Sequence, residues 1–409
     1  MTTRPNVLWI MADQLRFDYL SCYGHPHLHT PHIDALAKRG VQFNKAYIQS
    51  PVCGPSRMSA YTGRYVRSHG STWNGMPLRV GEPTLGDHLR AAGARAVLVG
   101  KTHMTADMEG MAWLGIDPNS TIGVSRSECG FDPYERDDGL HPDSARQKWS
   151  AYDDYLVENG FKSENPWGDF ANSGLDENGE RLSAWLLKNS RLPADVPEEH
   201  SETAYMTNRA IDFMTEATAD GRPWMCHLSY IKPHWPYIVP KPYHDMYGPE
   251  HVMDPVRSDA ERDTDHPLMK AYLNARVCRS FARDHVREHV IPAYMGLIKQ
   301  LDDNLGRLFA WMDKAGLSER HQRVRIDQVG MIRDRHHTVL FGDPARGGCA
   351  GLFHRLRITP PPVFNERRVT RERICGVRFG QSIRLSTRDF SLAQSAQCGG
   401  INLPPDQFK

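Results

Sequence analysis

The stretch Ser50–Arg64, SPVCGPSRMSAYTGR, sets a thiol, Cys53, just before a Gly-Pro turn and the start of a helix expected near Arg57, with Ser56 as its cap and Gly63 as its end. Beside a helix N-terminus an anion is favoured, because the first backbone N–H groups have no partner within the helix. Arg57, one turn on, carries a guanidinium able to hold an oxyanion or a ligand oxygen. Three fates are open to Cys53: a buried inert side chain, the commoner one for a cytosolic cysteine; a thiolate nucleophile; or the precursor of another group. A plain thiolate nucleophile needs a base such as histidine, and spacing alone supplies none.

Three other segments follow apolar runs with polar groups. Asp13 and Gln14 come after NVLWIM and offer a carboxylate and an amide oxygen, both hard ligands for a divalent cation. Taken alone, such a pair is more often a loop or a cap. VGKTHM places Lys101 and His103 two residues apart, a cation and an imidazole able to clamp an oxyanion, against the plainer reading of a solvated turn. SYIKPHWPY places Lys232 and His234 between Pro233 and Pro236, which stiffen the loop, although a lone histidine there is more often structural.

These residues can meet if they stand beyond the carboxyl ends of strands in an open α/β sheet, where such sheets bind ligands. Asn6–Met11 reads as a strand covered on both faces. Thr30 and Pro31 open a helix with Ile33, Leu36 and Ala37 inward, ended by Gly40. A strand is expected over Val41–Ile48, a helix after Thr84 ending at Gly93, and a buried strand over Ala96–Val99. Ser201 opens a helix with Ile211, Phe213, Met214 and Ala217 inward, and Trp224–Tyr230 follows as a strand. Val290, Tyr294, Leu297, Leu301, Leu305, Leu308 and Met312 mark a long amphipathic helix closed by Gly316. Alternating strands and helices predict an α/β fold with a mostly parallel sheet and helices on both faces. Residues 110–200 read as excursions over the sheet.

Composition bounds the function. The 409 residues carry 24% charged and 40% hydrophobic side chains with a formal net charge of +1, an ordinary globular balance that gives no electrostatic case for nucleic acid or a membrane surface. No run approaches a spanning helix, and MTTRPNVLWIMADQ lacks the features of a secretory leader, so a cytoplasmic protein is expected. The eight cysteines include no CxxC pair, which argues against a disulfide framework or zinc finger.

Cys53-Gly54-Pro55-Ser56-Arg57 resembles the Cys-x-Pro-Ser-Arg signature of type I sulfatases and the related phosphonate monoester hydrolases, in the alkaline phosphatase superfamily. NVLWIMADQ, TPHIDALAKRGVQFNKAY, GKTHM, KPHWPY and GLIKQLDDNLGRLFAWMDKAGL look like family segments in family order. Gln14 and HPLMKAYLNARVCRSF (His266–Phe281) are more similar to the phosphonate monoester hydrolase branch, Lys101 and His103 to sulfatases proper. The resemblance implies an alkaline-phosphatase-like three-layer sandwich over residues 1–320 and hydrolysis of small sulfate, phosphonate or phosphodiester substrates. It also implies that Cys53 is oxidised to formylglycine by a formylglycine-generating or anaerobic sulfatase-maturating enzyme. Asp13, Gln14 and position 53 would hold one divalent ion (Ca, Mn, Mg or Zn). The hydrated aldehyde would be the nucleophile, oriented by Arg57. Lys101, His103 and His234 would bind the transferring oxygens and assist proton transfer, with Asn74 a further polar contact. The resemblance leaves a homo-oligomer open.

The likeness stops near Arg320. The family carries its remaining metal ligands in a segment like Ser-Asp-His-Gly on a strand after the long helix, and adds a small C-terminal domain. Here HQRVRIDQVGMIRDRHHTVLFGDP follows, and from Arg320 to the end there are fifteen Arg against one Lys. The expectation is a lost central strand, a C-terminal domain missing or replaced over 321–409, and weak or absent activity, with an inactive truncated relative as the alternative. HTVLFGDP is the best strand candidate there, and Asp343, with His336 and His337 nearby, the candidate substitute ligand. A frameshift or gene rearrangement near Arg320 would explain the Arg-rich, Lys-poor tail. Translation of the gene in its other frames then reveals an Asp-His segment downstream, and its absence from every frame defeats the idea.

Overall fold

Residue parity along the first strand decides how this fold is laid out. β1 (Val7–Asp13) alternates Leu8, Ile10 and Ala12 into one apolar cluster with Trp9 and Met11 into another, so its two faces feed two cores. The computed structural model describes residues 5–139 and 150–318 together with the strands 323–329 and 339–342. After β1 come α1 (Pro31–Arg39), the short β2 (Gly40–Gln42), α2 (Cys53–Thr62), α3 (Val66–His69) and α4 (Leu85–Ala91). β3 (Arg95–Gly100), α5 (Met108–Trp113), α6 (Thr121–Ser127) and β4 (Asp132–Arg136) follow. Then come α7 (Ala151–Glu158), the small antiparallel pair β5 (Ser173–Leu175) and β6 (Arg181–Ser183), α8 (Glu202–Asp220) and β7 (Trp224–Tyr230). α9 (Pro267–Asn274), α10 (Arg276–Phe281) and α11 (Asp284–Lys314) precede β8 (Arg323–Val329) and β9 (Val339–Gly342).

The main sheet runs β2-β9-β8-β1-β7-β3-β4. β8, β1, β7, β3 and β4 are parallel, while β9 is antiparallel to both β8 and β2. Side chains of α1, α8 and α11 fill the core on one face, and Cys53, Met58 and Tyr61 of α2, with Leu85 and Leu89 of α4, belong to the other. The result is the α/β three-layer sandwich expected from the sequence. Among the described residues no helix is long and apolar enough to cross a membrane.

Several expected boundaries are corrected. The strand over Val41–Ile48 shrinks to Gly40–Gln42, because β9 offers backbone partners for just those three residues and Tyr47 is 62% exposed. Thr30 gives α1 no side-chain cap; Asp302 of α11 does, accepting the N–H groups of His32 (3.3 Å) and Ile33 (2.9 Å). α2 begins at Cys53 rather than near Arg57, and Ser56 lies within its first turn. Ile211 is half-buried rather than fully inward. β4 lies within the stretch read as excursions; as a partly exposed edge strand it lacks an apolar run. The expected loss of a central strand is also overturned: β8 pairs with β1 from Val7↔Arg323 to Asp13↔Val329, in the alternating segment RVRIDQV. β9 falls within the predicted HTVLFGDP. His336, His337 and Asp343, like most of the Arg-rich tail, lie outside the described residues.

The register brings three strand ends level. Ala12 pairs with Tyr230, and Gly100 with Ser229. Gly100 has φ +105°, and a Cβ there would sit 2.1 Å from the Ser229 carbonyl oxygen. Gly100→Ala therefore forces the β3 and β7 ends apart; unfolding by denaturant is expected to show a loss of about 2 kcal/mol or more.

Candidate active site at the carboxyl end of the sheet

The level strand ends deliver Asp13 from β1, Lys101 after β3 and His234 after β7, and α2 brings Cys53 and Arg57 over them. Asp13 continues the Trp9, Met11 alternation, which puts it on the face that α2 covers. One ligand atom each from Asp13, Cys53 and His234 lies within 4.8 Å of the others, and all three residues are buried. Lys101 Nζ is 2.6 Å from Asp13 Oδ2, and Arg57 Nη2 is 3.6 Å from the same oxygen, with all three side chains fully enclosed.

Arg57 is held rigidly. Its Nη1 donates to the Lys101 carbonyl (2.8 Å), to Ser229 Oγ (2.8 Å) and to the Tyr61 hydroxyl (3.3 Å). Its Nε and Nη2 are buried without a hydrogen-bond partner. Tyr61 is in turn hydrogen-bonded to His227 Nε2 (2.9 Å), whose ring stacks on Trp9. Asn74 explains how α2 starts without a local cap: its Oδ1 accepts the Gly54 N–H (2.8 Å), and its Nδ2 points to Cys53 Sγ (3.8 Å). A Cβ on Gly54 would lie 2.6 Å from that Oδ1, so the glycine makes room for the cap.

Burial alone would raise the Asp13 pKa, but Lys101 and Arg57 outweigh it and hold the carboxyl well below the usual carboxylate range. Burial, and secondarily the Asp13 charge, pushes the Cys53 thiol up, so the unmodified side chain is a thiol and a poor nucleophile. Burial brings His234 down to about 4, partly offset by Asp13. Its Nδ1 is 2.6 Å from the Trp235 carbonyl, which can only accept, so Nδ1 carries the proton and Nε2 has a bare lone pair.

His103 adopts φ +55°, its N–H donates to Asp138 Oδ1 (3.0 Å), and its Nδ1 is buried without a hydrogen-bond partner. Burial and Lys101 bring its pKa down to about 3. Asp138 is paired with Arg136 (2.6 Å), which also binds Glu128 (2.7 Å), and Glu128 accepts from Thr102 (2.7 Å). Gln14, at φ +63°, is tied to the His234 loop: its Oε1 accepts from the Trp235 N–H (3.4 Å) and the Tyr237 hydroxyl (3.3 Å), while its carbonyl accepts from Tyr294 (2.7 Å).

The structure thus gathers Asp13, Cys53, Arg57, Asn74, Lys101 and His234 around one point, with His103 and Gln14 on adjoining loops. Ser229, Tyr61 and Asp138 were not singled out from sequence. The signal for Ser229 was there: His227 and Ser229 alternate within the otherwise apolar run WMCHLSY.

A bare carboxylate oxygen on Asp13, a neutral imidazole lone pair on His234 and the atom at position 53 form a donor set that fits a divalent cation. An oxygen at position 53 would make the set harder than sulfur does. A buried carboxylate, two buried cations and a helix start converge beyond the parallel sheet, an arrangement suited to holding an anion. The Sulfatase family profile matches residues 5–320, and the chain belongs to that family. It is 31% identical over 368 residues to the multifunctional alkaline phosphatase superfamily protein PehA of Trinickia caryophylli, covering 82% of this chain and 65% of PehA. An arylsulfatase of Clostridium perfringens is 26% identical over 86% of this chain and 68% of its own length. The solved phosphonate monoester hydrolase SpPMH of Silicibacter pomeroyi superposes with a TM-score of 0.68 at 25% identity, over 84% of this chain and 68% of that one. The chain therefore spans just under two thirds of the length of PehA.

Asp13→Asn removes the one anion between Lys101 and Arg57. Denaturant unfolding should report a loss of about 3–5 kcal/mol, and the double variant Asp13→Asn/Lys101→Met should recover part of it by deleting one uncompensated buried charge.

Proposed function

We propose that this protein hydrolyses sulfate monoesters, and related phosphonate monoesters or phosphodiesters, with residue 53 oxidised from cysteine to formylglycine. The observation that carries this reading is the convergence of Asp13, Cys53 and His234 within 4.8 Å beside two buried cations. Membership in the Sulfatase family, an arylsulfatase relative and a phosphonate monoester hydrolase fold neighbour support it. Asp13, His234 and the oxygen at position 53, with Gln14 if its amide turns from Tyr237, would hold a divalent cation. When bound, that cation would lower the pKa of the hydroxyl at position 53 and neutralise charge on the ester oxygens.

The residues of the chain do the rest. Arg57, fixed through Nη1, presents Nη2 and Nε to oxygens near position 53 without having to reorganise. Lys101 supplies a fixed positive charge for an ester oxygen. His103 keeps a buried ring nitrogen, Nδ1, without a hydrogen-bond partner, and this nitrogen would engage the leaving oxygen. Asn74 fixes the start of α2 and so the direction of residue 53. Counting Asp13 against Lys101 and Arg57 leaves excess positive charge, which suits an anionic ester.

Mass spectrometry of the tryptic peptide containing residue 53, in parallel with assays on an aryl sulfate and an aryl phosphonate monoester in the presence of Mn²⁺ or Ca²⁺, tests the proposal. The expected result is an aldehyde in place of the thiol and turnover of at least one ester, reduced about 100- to 1,000-fold by Lys101→Ala. Protein bearing the aldehyde and loaded with cation that hydrolyses neither ester overturns the reading.

A further inference from the structure

His234 sits on a loop whose bracing comes from a second buried cluster, on residues with no part in the site above. Lys232, 5% exposed, donates through Nζ to Asn172 Oδ1 (2.9 Å) and to the Pro236 carbonyl (2.8 Å). The second bond spans residues 232–236 and closes them into a ring with His234 at its middle. The first bond ties that ring to Asn172, which is fully buried and whose Nδ2 is bonded to the Trp167 carbonyl (3.2 Å). The Trp167 indole N–H donates to Glu202 Oε1 (2.9 Å), and Glu202, buried at the start of α8, feels the charges of both Lys232 and Asp137. Asp137 reaches the other catalytic loop, since its N–H donates to the carbonyl of Gly100, the residue before Lys101.

A lysine enclosed like this is a costly way to fill space. The Glu202 charge compensates it from a distance, but both of its hydrogen bonds go to neutral oxygens. What they achieve is geometric: the ring is closed and pinned, and the His234 imidazole is left with Nδ1 on Trp235 and Nε2 bare. We propose that Lys232 is a positioning residue, which braces the 232–236 loop against Asn172 and so aims His234 Nε2 at Asp13 and residue 53. The functional part of this inference rests on the esterase reading above; the geometric part does not.

The test uses the full chain with Lys232→Met, Lys232→Arg and Asn172→Ala, each alone and combined with His234→Ala. Two readouts are taken: steady-state kinetics on the aryl esters, and ¹⁵N-histidine NMR of the His234 ring, assigned by the loss of its signals in His234→Ala. In Lys232→Met, kcat is expected to fall about 10- to 100-fold with KM moving less than about twofold. Lys232→Arg is expected to restore most of that, and Lys232→Met to add nothing in the His234→Ala background. The His234 nitrogens should move from a single Nδ1–H tautomer to an exchanging pair. Losses that add across the two sites, or His234 signals unchanged in folded Lys232→Met protein, overturn the proposal. If Lys232→Met does not fold, Asn172→Ala carries the same two readouts. If neither ester is turned over, the NMR arm still decides whether Lys232 sets the ring, so failure of the esterase reading is distinguishable.

Discussion

The contact on which the rest depends is the enclosed Asp13 carboxylate between Lys101 and Arg57. Neither cation could be buried without it, and Asp13 could not stay ionised without them. In a medium far less polar than water these charges interact strongly, so each fixes the place of the others. Arg57 shows how far this goes. One of its terminal nitrogens is spent on a carbonyl, a serine and a tyrosine, which leaves Nη2 beside Asp13 and Nε without a hydrogen-bond partner. Such a group cannot drift to meet a ligand. It waits in a set orientation.

The sheet makes this charge cluster affordable by supplying its members from adjacent strands. β3, β7 and β1 end level, and the Gly100 backbone closes directly onto Ser229. Lys101 and Ser229 are thereby brought to the same guanidinium from different strands. Beyond the strand ends, further ties run outward: Asp138 to the His103 backbone, Asn74 to the start of α2, Tyr237 to Gln14. Each tie comes from a segment remote in sequence from the residue it steadies.

That remoteness separates what the sequence revealed from what it hid. β1, β3, β7, α8 and α11 were legible because apolar runs and three-to-four-residue spacing report burial directly. Asp13, Cys53, Arg57, Lys101 and His234 were legible because they sit at strand ends or in a short signature. The caps of α1 and α2 were not, because Asp302 and Asn74 act from 270 and 20 residues away respectively, where local capping rules have no reach. β4 was hidden because an edge strand needs no apolar face on its solvent side. β8 was hidden by its arginines: alternation in RVRIDQV was overshadowed by the change in composition after Arg320.

The alternation of β1 has a consequence for how this chain can vary. Trp9, Met11 and Asp13 share one side, Leu8, Ile10 and Ala12 the other. Inserting or deleting a single residue between Val7 and Met11 would rotate everything on one flank by half a repeat, turning either the indole or the carboxylate into the wrong layer. Changes in length are confined to multiples of two there, or to the loops, so the opening segment acts as a ruler whose gradations are set by pairs.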